Sequence, residues 1–181
     1  MLKCWLTLNL IVTLGACSTA PLSQASPNAE AGIDQPLRLA MIAVHNRERR
    51  AFGVSPLTWD AGIAAQASIH AAQLARIGRL QHSTRQVRGG LGENLWIGTR
   101  GGYPFAAMAE RWASERRLFR PGSFPANSRT GYWADVGHFT QMIWPSTSRI
   151  GCGVASAGQW AVLVCRYAPA GNVDGVLIAP R

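Results

Sequence analysis

The chain has 181 residues, with 18 Lys and Arg against 9 Asp and Glu, 48% apolar residues and seven Trp. That length and apolar content fit one compact domain with short extras, leave no room for a second full core, and exclude a dominantly disordered chain. All but one of the basic residues are Arg, and the net charge of +9 favours anionic surfaces or partners without specifying a fold.

At the N-terminus, Lys3 precedes an apolar run from Trp5 to Leu14, which has the length of a secretory signal core and is too short to span a bilayer. Leu14-Gly15-Ala16-Cys17 resembles a bacterial lipobox, in which cleavage precedes a Cys whose thiol carries diacylglycerol. Residues 1–16 are therefore expected to be a lipoprotein-type signal peptide. Residues 17–36, with three Pro and three Ser from Ser18 onward, are expected to be a tether, and 37–181 the folded domain. The mature protein is then exported to a bacterial cell envelope, held there by a lipid on Cys17, or secreted if cleavage is of the ordinary kind.

The Arg groups 47, 49, 50 and 116, 117, 120 are interleaved with acidic or apolar residues and have no accompanying zinc-finger or single-strand-binding motif. They read as a solvated face, and nucleic acid is not an expected partner. Helical spacing begins with Leu37, Met41 and Val44 and stops at Gly53. A second helix starts at the N-cap residue Asp60, carries Ile63, Ala67, His70, Leu74 and Ile77 on one stripe, and ends at Gly78. His70 on that stripe reads as a core residue. A third helix near Phe105 to Phe119 places Met108, Trp112, Glu115 and Phe119 on its buried face. A carboxylate there needs a cation, hydrogen-bond donors or a cavity edge.

After Gly131 the pattern alternates, and Gly137 to Trp144 reads as a strand. Ile150 to Ala157 and Trp160 to Tyr167 read as two more strands, joined by a type II′ turn at Gly158-Gln159. In that register Cys152 faces Cys165 at a non-hydrogen-bonded pair, where side chains come closest, so a disulfide across the hairpin is expected. It agrees with an oxidising, exported compartment.

The segments Val44-His45-Asn46, Leu57-Thr58-Trp59-Asp60, Gln81-His82-Ser83, Gly92-Glu93-Asn94-Leu95, Trp112-Ala113-Ser114-Glu115, Gly137 to Trp144 with Ile150-Gly151-Cys152-Gly153, and Cys165 to Asn172 come in the order and spacing of the CAP superfamily. The chain resembles that family of SCP-like extracellular proteins from about Leu37 to Asn172. The resemblance implies an α+β fold, an α-β-α sandwich with an antiparallel sheet covered by helices on both faces. It also implies a central cleft tetrad of His82, Glu93, Glu115 and His138, in which His82 and His138 bind zinc or another divalent cation. His45 looks like framework. The function so implied is a binding module for a lipid, sterol-like or protein ligand. The alternative is a hydrolase of peptides or esters that uses a metal-activated water or Ser83 with His82 and Glu93. One disulfide and no Cys-rich extension speak against carrying over the family's ion-channel toxin activity.

Overall fold

The computed structural model describes residues 27–180, with side chains from residue 35 onward. The expected signal peptide, Cys17 and the first part of the expected tether lie outside the described residues. Helix α1 runs Pro27–Ala51 and takes in Pro36, so the helix begins inside the stretch expected to be tether, ten residues before Leu37. Pro27 stands at its first position, where a missing N–H costs nothing, and Ala29, Glu30 and Ala31 follow as good helix formers. Leu37, Met41 and Val44 are buried as their spacing predicts.

Strand β1 is Thr58–Trp59, and α2 is Ala61–Ile77. The Asp60 carboxylate accepts from the Ile63 N–H at 3.0 Å, and Gly78 closes the helix in the left-handed conformation at φ 66°. The buried stripe of α2 is Ile63, Ala64, Ala67, Ala71, Leu74 and Ala75, whereas Ile77 is exposed. Strand β2 (Gly92–Thr99) is an element the periodicity does not single out. Helix α3 is Phe105–Ala113, and a 3₁₀ turn, Ser114–Leu118, replaces the expected last turns of α-helix and carries Glu115.

The segment from Gly137 is not a strand. It forms the short helix α4 (Gly137–Met142), in which Phe139, Thr140, Gln141 and Met142 are all buried. A segment buried at every residue but His138 shows no readable period, and its ends are held from elsewhere in the chain. Strands β4 (Arg149–Ala157) and β5 (Trp160–Ala168) form the expected hairpin, with Cys152 paired to Cys165 and bonded to it at a Cα separation of 4.1 Å. The short strands β3 (Gly122–Ser123) and β6 (Leu177–Ile178) make a separate two-stranded ribbon.

The main sheet has the order β1-β4-β5-β2. Its three long strands are antiparallel as expected, and two-residue β1 joins the edge in parallel. Alternation along β5 sorts the core into two layers. Leu163, Cys165 and Tyr167 face α1, α3 and α4, while Val162 and Val164 face α2 with Ala67, Ala71 and Leu74. Helices thus cover both faces of the sheet.

Candidate functional site

Two histidines and two glutamates meet as two separate pairs. His82 lies in the loop after α2, and its Nδ1 is 2.9 Å from Glu93 Oε1 at the start of β2. The Glu93 side chain is wholly shielded from solvent, yet every lone pair direction is used. The Ser83 N–H donates to Oε1 at 3.0 Å, the Ser83 hydroxyl to Oε2 at 2.7 Å, and Arg166 Nε to Oε2 at 3.2 Å. The register of β2 on β5 sets Glu93 opposite Arg166, which makes this buried ion pair a cross-strand pair. Burial alone would raise the Glu93 carboxyl, but the hydrogen bonds from His82 and Ser83 outweigh it and hold the pKa down at about 2. Glu93 therefore stays a carboxylate across the physiological range.

The second pair is His138 with Glu115. The imidazole Nδ1 is 2.6 Å from Glu115 Oε1, and Glu115 Oε2 accepts the backbone N–H groups of His138 and Phe139, each at 3.0 Å. Glu115 thus meets the donors that its place on a buried face demands, and those donors are the first amides of α4 rather than an Arg. The Trp112 ring, one turn before Glu115, stacks on His138 with centroids 6.0 Å apart and an interplanar angle of 17°. Asn94 Nδ2 donates to the His138 carbonyl at 3.1 Å, which ties the two pairs together through β2.

Each carboxylate selects the Nδ1–H tautomer of its ring and leaves the Nε2 lone pair, which has no hydrogen-bond partner among the described residues. His82, Glu93 and His138 line one cleft of about 800 Å³. Glu115 does not line it and stands behind His138. Trp133 and Val173 supply apolar rim, and Arg85 and Asp174 charged rim. Asn172, also in the lining, adopts φ 56°, unusual for a residue with a side chain, and is pinned by Thr140 Oγ at 2.7 Å and by the Gly137 carbonyl at 2.9 Å. No group of three or more His, Cys, Asp or Glu side chains is placed to share a metal ion among the described residues.

Ser83 is not disposed as a nucleophile. Its hydroxyl donates to Glu93 and accepts from Arg166 Nη2 at 3.1 Å, so no ring nitrogen serves it as base. Arg166 is a site residue that the sequence alone did not reveal, because its role depends on the β2–β5 register. His70 is a second. It is largely shielded and hydrogen-bonded to backbone, as expected of it, with Nε2 3.0 Å from the Gln81 carbonyl, but it also sits beside the site, 3.9 Å from Glu93 Oε2.

His45 is framework, as expected. It is fully buried, with Nδ1 2.7 Å from the Met41 carbonyl and Nε2 2.9 Å from the Tyr167 hydroxyl. Burial pushes its pKa from 6.5 down to about 4, against the opposing pull of the Met41 carbonyl. Below pH 6.5 the unfolded chain therefore binds a proton that the folded chain refuses. This share of stability is complete above pH 6.5 and falls away down to pH 4, by roughly 3 kcal/mol in all at about 1.36 kcal/mol per pH unit. Glu93 adds its own acid loss only below its unfolded value of 4.5. Thermal melts between pH 7.5 and 4.5 should show a fall in Tm that His45→Gln flattens. Equal pH slopes in the two proteins would refute this.

The family described as the cysteine-rich secretory protein family (CAP) matches residues 42–167. Pathogenesis-related protein 1B of Nicotiana tabacum is 39% identical over 134 residues, which are 72% of this chain and 74% of that one. Golgi-associated plant pathogenesis-related protein 1 of Homo sapiens is 34% identical over 135 residues, 74% of this chain and 82% of the human protein. Secreted protein RBT4 of Candida albicans is 35% identical over 164 residues, 88% of this chain, although the match spans only 42% of RBT4. Among solved structures, NaASP2 with Zn2+ superposes with a TM-score of 0.64 at 26% identity, covering 81% of this chain and 86% of that one.

Proposed function

The chain belongs to the cysteine-rich secretory protein (CAP) family, and from that membership we propose that it is an exported binding module whose cleft offers two imidazole Nε2 atoms to a divalent ion. The observation that carries this reading is the paired geometry. Each ring is held by its own carboxylate at Nδ1, which leaves Nε2 as its free nitrogen, and both residues line one cleft. Carboxylate-oriented imidazoles of this kind are the usual arrangement of histidine ligands to zinc. A structural relative of known structure carries Zn2+, and a secreted relative and the Cys152–Cys165 disulfide support export. An ion bound there would supply open coordination positions for an anionic group of the ligand. The cleft beside it, part apolar and part charged, suits a lipid-like or protein ligand.

Anchoring through a lipid at Cys17 belongs to the same reading and accords with the Leu14–Cys17 box. No helix among the described residues is long and apolar enough to cross a membrane. The hydrolase alternative draws no support from Ser83, whose hydroxyl is committed to Glu93 and Arg166.

Zinc titration of chelator-treated protein tests the proposal. Uptake should lie in the micromolar range or tighter, His82→Ala and His138→Ala should each remove most of it, and Glu93→Gln or Glu115→Gln should weaken it about 10–100-fold. Affinity should also fall as pH drops, because the ligating nitrogens must be unprotonated. No uptake by the parent protein, or parent-like uptake by both His variants, refutes the metal site. The two His–Glu pairs would then be a polar brace of the sandwich.

A further inference from the structure

At one end of the sandwich the C-terminus of α2, the β4–β5 turn and the loop between β2 and α3 come together. Gly78 lies against the Trp160 ring, Thr99 pairs with Trp160, and the Arg100 N–H donates to the Gln159 carbonyl at 2.8 Å. Ile77, Leu80 and Tyr103 are exposed there, and Trp160 is half-buried. Among them stand Arg76, Arg79 and Arg100, all exposed and none in an ion pair among the described residues. Segments 76–80, 99–104 and 157–161 contain no Asp or Glu.

Arginines without acidic partners, set around aliphatic, Trp and Tyr side chains, match the boundary of an anionic bilayer. There the apolar groups enter the headgroup layer and the guanidinium groups meet lipid phosphates. A soluble polyanion would satisfy the arginines and leave Ile77 and Leu80 in water.

The direction of α1 gives a second, independent argument. Met41 Sδ is 3.8 Å from Cys165 Sγ, and His45 Nε2 is 2.9 Å from the Tyr167 hydroxyl, so α1 runs in the same direction as β5 and its N-terminal end lies toward Trp160. The first residue of α1 therefore lies toward this same end. A lipid at Cys17 would therefore tether the domain to a membrane from this end, through a stretch of ten residues that spans at most about 35 Å. Surface charges act over about 8–10 Å at physiological salt, so the arginines contribute once the face touches the headgroup layer.

We propose that this end of the domain is a docking face for an anionic lipid bilayer. Its approach to the membrane rests on the anchored reading above, whereas its chemistry does not.

The test uses the full chain carrying Cys17→Ala, recovered in its exported form and so without a lipid. It should float with phosphatidylcholine vesicles containing about 30% phosphatidylglycerol and not with pure phosphatidylcholine. Arg76→Gln, Arg79→Gln and Arg100→Gln should each weaken recovery about 5-fold, and together on the order of 100-fold. Ile77→Ser with Leu80→Ser should weaken it as well, at unchanged Tm. Equal recovery with neutral vesicles, or parent-like flotation of the triple variant, overturns the proposal. So does tight binding to soluble polyphosphate that is indifferent to Ile77→Ser and Leu80→Ser, which would make the partner a soluble polyanion. Zinc uptake by the same samples reports on the cleft separately, and membrane fractionation of cells expressing the parent and Cys17→Ala reports on the anchor.

Discussion

Replacing Arg49 by Met should lower the unfolding free energy by about 3–5 kcal/mol, the range found when one partner of a buried charged network is removed. Arg49 is fully buried with no carboxylate beside it. Its guanidinium donates to the carbonyls of Ser55 at 2.6 Å, Met142 at 3.0 Å, Trp144 at 2.9 Å and Thr147 at 2.7 Å. Burial lowers its pKa to about 10, which still leaves it charged at neutral pH. A Met of similar length fills the space but donates nothing, and backbone carbonyls cannot be substituted away to match it. Arg49→Lys should also cost more than about 2 kcal/mol, since one compact ammonium cannot serve four acceptors held by a planar fork. The effect reaches the site. Met142 and Trp144 close the C-terminal end of α4, whose N-terminal amides Glu115 holds, so losing Arg49 frees the helix that presents His138. Urea unfolding measures the cost, and a loss below about 1 kcal/mol for Arg49→Met would show that the guanidinium does not hold this corner.

Gly151→Val should be as damaging, by at least about 3 kcal/mol, or should prevent folding. A Cβ at position 151 would collide with the Ala64 amide nitrogen and approach the Asp60 carbonyl oxygen at 2.6 Å. All its nearest neighbours are backbone atoms of α2 and its cap, so no side chain can swing aside. The helix would have to leave the sheet. It would take with it Gln66, which touches Arg166, and His70, which contacts the loop before His82. Purified Gly151→Val should melt well below the parent. A variant with a parent-like Tm would show that α2 can stand off β4 without cost.

Local chemistry alone specified several parts of this protein. Asp60 and Gly78 bound α2 because a cap is a hydrogen bond within one turn of chain. Cys152 faces Cys165 because a two-residue turn sets the register of everything that follows it. Glu115 was legible as a problem, a carboxylate at helical spacing among Met108, Trp112 and Phe119, but its solution was not. The donors that satisfy it belong to His138 and Phe139, more than twenty residues away, and they exist only because Gly137–Met142 is a helix. That helix could not be read from its own residues. All of it but His138 is buried, and it is held by Glu115 at one end and Arg49 at the other, so neither period nor propensity marks it. The same holds for the basic residues. Arg49 reads as a member of a solvated set and Arg166 carries no signal of its own, and the two become interior donors only where α1 meets α4 and β5 meets β2. The family motifs named His82, Glu93, Glu115 and His138 together. Tertiary structure sorted them into two pairs, with Glu93 locked by Ser83 and Arg166 and Glu115 set behind His138. A residue's hydrogen-bond partners are set by which strands and helices become neighbours, and that depends on the burial of the whole chain at once.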